Sequence, residues 1–450
     1  MPSQPPTRKN TYFVRTFGCQ MNVHDSEHVR GVLQDAGYEP AASVDEADVV
    51  VFNTCCVRQS AEDRVWGNLG AIASAPRRTV AVCGCMAQKH GAGILQRARA
   101  VNLVFGMDAL GRLPQLIEMA SEAPVCDLGD VGGAMIDPLP TVRGSRVQAW
   151  VPVSHGCDNN CSYCVVPGVR GPERSRTAGD VLAEVERLAA DGVVEVVLLG
   201  QNVNSYGRDL GRGPAFAELL AGVAAVPGIR HVKFETSHPR DLTEDVLDVM
   251  AGSPEVCEYL HLPVQSGSDA VLEAMNRGYG RDEFLELAQR ARKKVPGLTL
   301  TTDIIVGFPT ETDKDFVDTM ELVREVEFDA AYLFLYSPRE GTPAAGMTSV
   351  VTDEQRRSRF DELVRAQDEI TARSLGKIVG RDVEVIVDGL SRRGNLFTGR
   401  TRGHRVVLIE PEKIESPLVT VRVHGAGKHS LRGKIADPGE APVALLRQGG

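Results

Sequence analysis

Between Thr11 and Gly106, short apolar runs rich in β-branched residues alternate with segments of helical period. TYFVRTFG, ADVVVFNT, TVAVCG and VNLVFG read as strands. DSEHVRGVLQDAG reads as a helix that starts at an acidic cap and ends at Gly37. This βα rhythm predicts a parallel sheet with helices on its faces. A Pro- and Gly-rich stretch over 127–146, DLGDVGGAMIDPLPTVRG, predicts a linker.

From Val147 the rhythm restarts. VQAWVPVS, EVVLLGQN, HVKFETS, EYLHLPVQS, LTLTTDIIVG and AAYLFLYS are strand candidates, separated by helical patterns near 177–191, 214–225, 243–252, 281–294 and 312–326. Six strands with five intervening helices predict an open (βα)6 barrel, shorter than a closed eight-unit one. A charged helix, about Asp353 to Leu375, leads to DVEVIVDG, NLFTGRTRG, HRVVLIEP, LVTVRVHGAG and SLRGKIA. Five short strands punctuated by Gly and Pro predict a small β-barrel. The expected plan is α/β: an N-terminal parallel-sheet domain over 10–126, a linker over 127–146, a partial barrel over 147–374 and a terminal β-barrel over 375–438.

Composition narrows the class. With 42% apolar and 24% charged residues, the 450-residue chain matches a globular protein of several domains. MPSQPPTRKN has no apolar core for a secretory signal, and no apolar run is long enough to span a bilayer. A cytoplasmic protein without membrane contact is expected. The net charge of −10 alone argues against nucleic acid, but Arg373 to Lys434 holds 13 Lys and Arg against 6 Asp and Glu. A basic terminal module on an acidic body is the asymmetry of an appended nucleic-acid-binding domain.

The ten cysteines point to metal or catalytic use in a reducing compartment. Cys157, Cys161 and Cys164 form C-x3-C-x2-C directly after a predicted strand. Thiolates select zinc or iron–sulfur, and both ordinarily take four ligands. Only three are local, so an iron–sulfur cluster here keeps one iron open; zinc with His155 as a fourth ligand is the less usual spacing. Cys19, Cys55 and Cys85 each end a predicted strand, and ligands of open α/β sheets gather at that edge. Cys56 should point away from Cys55's face. Period alone does not choose between Cys83 and Cys85. Cys126 and Cys257 read as structural.

The C-x3-C-x2-C motif, with an aromatic in Cys161-Ser-Tyr163-Cys164, resembles the radical S-adenosylmethionine (SAM) superfamily. With both cysteine sets in view, residues 11–435 resemble the methylthiotransferases of the MiaB family through TFGCQMNVHDSE, NTCCVR, GCMAQ, CDNNCSYCVVPGVRG, LLGQNVNSYG, HLPVQSGSD and DIIVGFPTET. The terminal barrel resembles an RNA-binding TRAM domain. Small departures are Gly168, where an aromatic is common, and Tyr279-Gly280-Arg281 in place of Tyr-Thr-Arg.

The resemblance implies two 4Fe–4S clusters, one on Cys157, Cys161 and Cys164, which reduces SAM to release a carbon-centred radical, and one on Cys19, Cys55 and Cys85, which carries sulfur. It implies methylthio transfer to C2 of N6-isopentenyladenosine beside the anticodon, with one SAM as methyl donor and one as radical source. The partners it implies are a tRNA anticodon stem-loop and an electron donor such as flavodoxin or ferredoxin, with the enzyme a monomer. An unactivated aromatic C–H bond requires cofactor chemistry of this kind. SAM contacts are expected at barrel strand ends: Gln201, Asn202, Glu235, Ser237, His238, Gln265, Ser266, Asp303, Gly307 and Glu311. Arg392, Arg393, Arg400, Arg402 and Arg405 are expected at RNA phosphates, with Phe397 and His404 stacking on bases. Other readings are a methylthiotransferase for threonylcarbamoyl-adenosine tRNA or a ribosomal protein, and a non-catalytic iron–sulfur RNA-binding protein.

Overall fold

Every residue of Val49–Thr54 and Thr79–Gly84 is buried, as expected of strands covered on both faces. In the computed structural model, which describes residues 10–57, 59–72, 78–129, 139–211, 216–391, 394–411, 414 and 416–437, these are the two central strands of a parallel sheet. Its members are β1 (Thr11–Thr16), β2 (Glu39–Pro40), β3 (Val49–Thr54), β4 (Thr79–Gly84), β5 (Leu103–Phe105) and β6 (Val125–Asp127), in the order β2-β1-β3-β4-β5-β6. Alternate residues feed two apolar layers. Val50, Phe52, Val80 and Val82 face one side, and Val49, Val51, Ala81 and Cys83 the other.

Two expectations change in this unit. The first helix runs Gln20–Asp35 with Cys19 as its cap, one turn earlier than the acidic start at Asp25, because Asn22 reaches back to the Cys19 N–H. β2 and β6 were not anticipated, since pieces of two and three residues show no period of their own. Of the expected linker, 130–138 lies outside the described residues. The part after it packs on the first helix, with Val142 N–H donating to Glu27 O and Gly144 N–H to Glu27 Oε1.

The chain divides into two compact units, and the second begins at Ser145. The first extends to Gly144 and also takes in His155–Asn159 and Cys164–Arg174. In the second, β7 (Gln148–Pro152) pairs in parallel with β10 (Glu195–Leu199), which pairs with β11 (His231–Phe234). β12 (Tyr259–His261), β13 (Thr299–Val306) and β14 (Ala330–Leu335) form a second parallel set. Two two-residue strands, β8 (Ser154–His155) and β9 (Arg174–Ser175), lie in the first connection. Helices at Ala178–Ala190, Phe216–Ala224, Glu244–Gly252, Arg281–Lys294 and Asp313–Val326 match the five expected, and a short one at Asp269–Ala274 is additional.

The Asp353–Gly376 helix leads to a closed barrel of β15 (Asp382–Leu390), β16 (Phe397–Thr401), β17 (Val406–Ile409), β18 (Leu418–Ala426) and β19 (Leu431–Asp437). It lies in the same unit as the parallel strands, around its own core of Val385, Val407, Val421 and Leu431. Among the described residues, no helix is long and apolar enough to cross a membrane.

Candidate cluster sites

Three strand ends deliver the dispersed cysteines. Cys19 caps the helix after β1, Cys55 is the first residue past β3, and Cys85 opens the Cys85–His90 helix after β4. A buried polar lattice ties two of these ends together. Asn22 Nδ2 donates to Asn53 Oδ1 at 3.1 Å and to Thr54 O, while Asn53 Nδ2 donates to Asn22 O and to Ser26 Oγ. Gly18 makes the approach possible. A Cβ there would lie 2.2 Å from Asn22 Oδ1 and 2.7 Å from Cys55 Cβ, at a φ of +137°.

The thiols feel one another. Burial pushes Cys55 up to about 12, helped by Cys85 and Cys19. Cys85 falls to about 6, first through a hydrogen bond from the Cys56 thiol and also through the Arg170 guanidinium. Arg170 Nε donates to Cys85 Sγ at 3.3 Å, and its other arm donates to Asp25 Oδ2 at 2.9 Å. The N-terminal position of Cys85 on its helix works in the same direction, whereas burial raises Cys19 against the pull of Arg170.

The structure places the ambiguous cysteines on different faces. Gly84, at φ +83°, turns the chain between Cys83 and Cys85, so period two fails there. Cys83 sits in one apolar layer and Cys85 in the other. Cys56 does not point away as an extended chain would require. β3 has ended at Thr54, and the Cys56 thiol bonds to Cys85. Cys257 is buried and pushed up to about 12 by that burial, which suits a structural thiol.

Around the contiguous cysteines, each unit holds its own stretch of chain. Cys157 N–H donates to Gly171 O at 3.1 Å, and a Cβ on Gly156, at φ +78°, would lie 1.9 Å from Pro172 O. On the Cys161 side, Ser162 N–H donates to Met275 O, Ser162 Oγ to Ala274 O, and Asn276 Nδ2 to Asn160 O. Arg277 is 4% exposed and donates to Cys161 Sγ at 3.4 Å, Pro263 O at 2.9 Å and Tyr279 Oη at 3.0 Å.

Among the described residues, no three His, Cys, Asp or Glu side chains converge as a single-ion site would demand. Cluster ligation is a different geometry, because each thiolate binds its own iron at a separate corner. The donors suit it: soft sulfur, three to a set, each set with a buried cation on one thiol.

The strand ends of the parallel barrel collect polar atoms without partners. Among the described residues, Ser154 Oγ, Asn202 Oδ1, both amide atoms of Asn204 and Ser237 Oγ are buried with no hydrogen bond. Each such atom costs about 1–3 kcal/mol unless a ligand or water satisfies it. Thr236 at φ +68° and Gln265 at φ +71° hold strained backbone at the same edge. Gln201 is half-buried there. His238 is driven down to about 3 by burial and by Arg277, and its ring meets Tyr279 edge-on at 5.7 Å.

Several expected contacts are engaged otherwise. Glu311 accepts from Gly307 N–H and from Arg359, Ser266 Oγ bonds to Thr319 Oγ1, and a Cβ on Gly307 would collide with Arg356. Glu235 is raised by burial, and Asp303 lies 3.6 Å from His261.

The terminal barrel spends part of its basic surface on the parallel strands. Arg402 makes a two-armed ion pair with Glu258, both arms at 2.8 Å, and Arg405 pairs with Asp329 at 2.6 Å. His404 stacks on Tyr259 at 4.8 Å and is pushed down to about 3 by burial and by Lys233. Lys233 donates to Glu195 and to Thr401 O, and His231 lies 2.6 Å from Glu384. Arg402, Arg405 and His404 were expected at RNA; here they hold one barrel to the other. Arg400 keeps a third of its side chain exposed near Asp388, and Phe397 is half-buried against the barrel core. Arg392 and Arg393 lie outside the described residues.

Sequence reasoning missed Arg170, Arg277, Asn53 and Asn204. Arg170 stood inside a quoted motif, CVVPGVRG, but nothing in the spacing tells that its partner is Cys85, 85 residues earlier.

Residues 151–323 match the Radical SAM superfamily, and residues 11–106 match an uncharacterized protein family, UPF0004. A tRNA-2-methylthio-N(6)-dimethylallyladenosine synthase of Acetivibrio thermocellus is 44% identical over 438 residues, covering 95% of this chain and 91% of the relative. Proteins of the same name from Frankia casuarinae and Moorella thermoacetica are 51% and 44% identical, covering 87% and 95% of this chain and 74% and 99% of theirs. Among solved structures, the radical SAM methyltransferase TsrM from Kitasatospora setae, with cobalamin and a 4Fe–4S cluster bound, superposes with a TM-score of 0.53 at 14% identity. That match covers 75% of this chain and 77% of that one, a likeness of fold.

Proposed function

The chain belongs to the tRNA-2-methylthio-N(6)-dimethylallyladenosine synthase family, and from that premise we propose how its residues divide the work. It is a radical SAM methylthiotransferase, adding a methylthio group to C2 of N6-isopentenyladenosine next to the anticodon of tRNA. Its cofactors are two 4Fe–4S clusters and SAM. When bound, these supply the electron, the hydrogen-abstracting radical, the sulfur and the methyl group, none of which a side chain offers.

Cys157, Cys161 and Cys164 hold the cluster that takes SAM, and Cys19, Cys55 and Cys85 hold the second. The observation that carries this reading is that three cysteines stand at the same ends of three neighbouring strands, with one buried arginine donating to Cys85 Sγ. Three thiols in each set leave one position open in each cluster. At the barrel edge, Asn202, Asn204, Ser154 and Ser237 present the unpartnered atoms that SAM would satisfy, with Gln201 and His238 alongside. Glu311, Gly307 and Ser266 act indirectly, by shaping the loops. Burial raises the Glu235 carboxyl above the ordinary glutamate range, against the pull of His261, Arg400 and Lys233.

RNA contact falls to Arg400, with Arg392 and Arg393, rather than to Arg402 and Arg405. The reading extends to a cytoplasmic monomer reduced by a small carrier such as flavodoxin or ferredoxin. Mass spectrometry of tRNA nucleosides from a deletion strain tests it. The 2-methylthio form should vanish and the isopentenyl form accumulate, and both should revert on complementation; an unchanged profile refutes the tRNA assignment.

A further inference from the structure

We propose that Arg170 is a positioning residue of the dispersed cysteine site, one that sets how readily the cluster held there is reduced. The inference rests on Cys19, Cys55 and Cys85 being the ligands of that cluster. The guanidinium is fixed at both ends, by Cys85 Sγ at 3.3 Å and Asp25 Oδ2 at 2.9 Å, and the two charged side chains are only 10% and 5% exposed. A cation so far from water is poorly screened, and it acts on the nearest thiolate with more strength than a surface charge would.

Its mounting is rigid. Arg170 closes the Val166–Arg170 helix, and Val165 and Val169 pack into the apolar layer that also holds Cys85, Cys56 and Met86. Gly171 follows at φ +74°, and its carbonyl accepts from Cys157 N–H. The segment that leaves Cys164 therefore ends, six residues on, with its cation on a cysteine of the other set. A positive donor on a thiolate stabilises the reduced, more negative cluster relative to the oxidised one, and the Asp25 carboxylate opposes it. The balance of the two sets the potential.

The experiment uses the full chain, reconstituted anaerobically with iron and sulfide, and titrates each cluster by electron paramagnetic resonance. Arg170→Met should lower the potential of the dispersed-site cluster until its reduced fraction at fixed solution potential falls about tenfold, ~59 mV for one electron. Asp25→Asn should shift it in the opposite direction, and Arg170→Lys should recover part of the loss. The other cluster's signal and SAM cleavage without tRNA should stay unchanged. Identical potentials in all variants, or equal shifts of both clusters, would overturn the proposal. If Arg170→Met fails to retain the cluster, Arg170→Lys and Asp25→Asn decide, and no shift in either refutes it. A Cys157→Ala, Cys161→Ala, Cys164→Ala variant tests the underlying assignment separately: if it binds no cluster, the ligand reading fails whatever Arg170 does.

Discussion

Cys157, Cys161 and Cys164 fall within eight residues, whereas Cys19, Cys55 and Cys85 span 67. The contiguous set is one short stretch of chain, with the Cys157 N–H held by Gly171 O. The dispersed set exists only once β1, β3 and β4 have paired, because three separate chain turns must meet. The difference shows two ways of arriving at the same donor chemistry. One places it by short-range spacing. The other pays loop-closure entropy first and recovers it through a buried sheet.

The largest effects should come from removing one ligand of each set. Cys161→Ala and Cys85→Ala should each lose about four irons per chain. Cys161→Ala should abolish SAM cleavage, whereas Cys85→Ala should retain it and lose only the methylthio product. If both variants stop cleaving SAM, the two sets are not independent.

The glycines come next. Gly156→Ala sets a Cβ 1.9 Å from Pro172 O, and Gly18→Ala sets one 2.7 Å from Cys55 Cβ, both at positive φ. Each should cost on the order of 1–3 kcal/mol in strain, and each should deplete iron from its own site alone, read by the two paramagnetic signals. Asn53→Ala should cost a similar ~1–3 kcal/mol by removing its bonds to the Asn22 amide, Asn22 O and Ser26, measured by denaturant unfolding.

Close to neutral pH, the smallest effect is that of titration. His404 has a folded pKa of about 3, below its unfolded value, so the unfolded chain binds the proton first. Stability is present above pH ~6.5 and falls as pH drops toward the folded value, by about 1.4 kcal/mol per unit for one proton. His404→Gln should flatten that slope. The loss should appear in the unit that carries Cys161 and leave Cys85's unit unmoved, followed by hydrogen exchange in each.

Much of the architecture was legible beforehand. The parallel sheet, the six barrel strands, their five helices and the five-stranded terminal barrel all follow from period and punctuation. The spacing of the six cysteines was also legible, though preferring Cys85 to Cys83 rested on the family resemblance. The structure supplies the reason, in the turn at Gly84. The partners of the terminal arginines were not legible, because charge composition carries no direction. Arg402 and Arg405 are as basic as Arg400, yet Glu258 and Asp329, far away in the chain, claim them.

What the sequence determined by itself is whatever local order encodes: element type, the cysteine spacing and the thiolate chemistry it permits. Only the tertiary structure decided which cation meets which thiol, Arg170 with Cys85 and Arg277 with Cys161, and which basic residues are spent on packing. The reason is physical. Hydrogen bonds and ion pairs act over a few ångströms of space, and only folding turns separations of 85 and 116 residues into such distances.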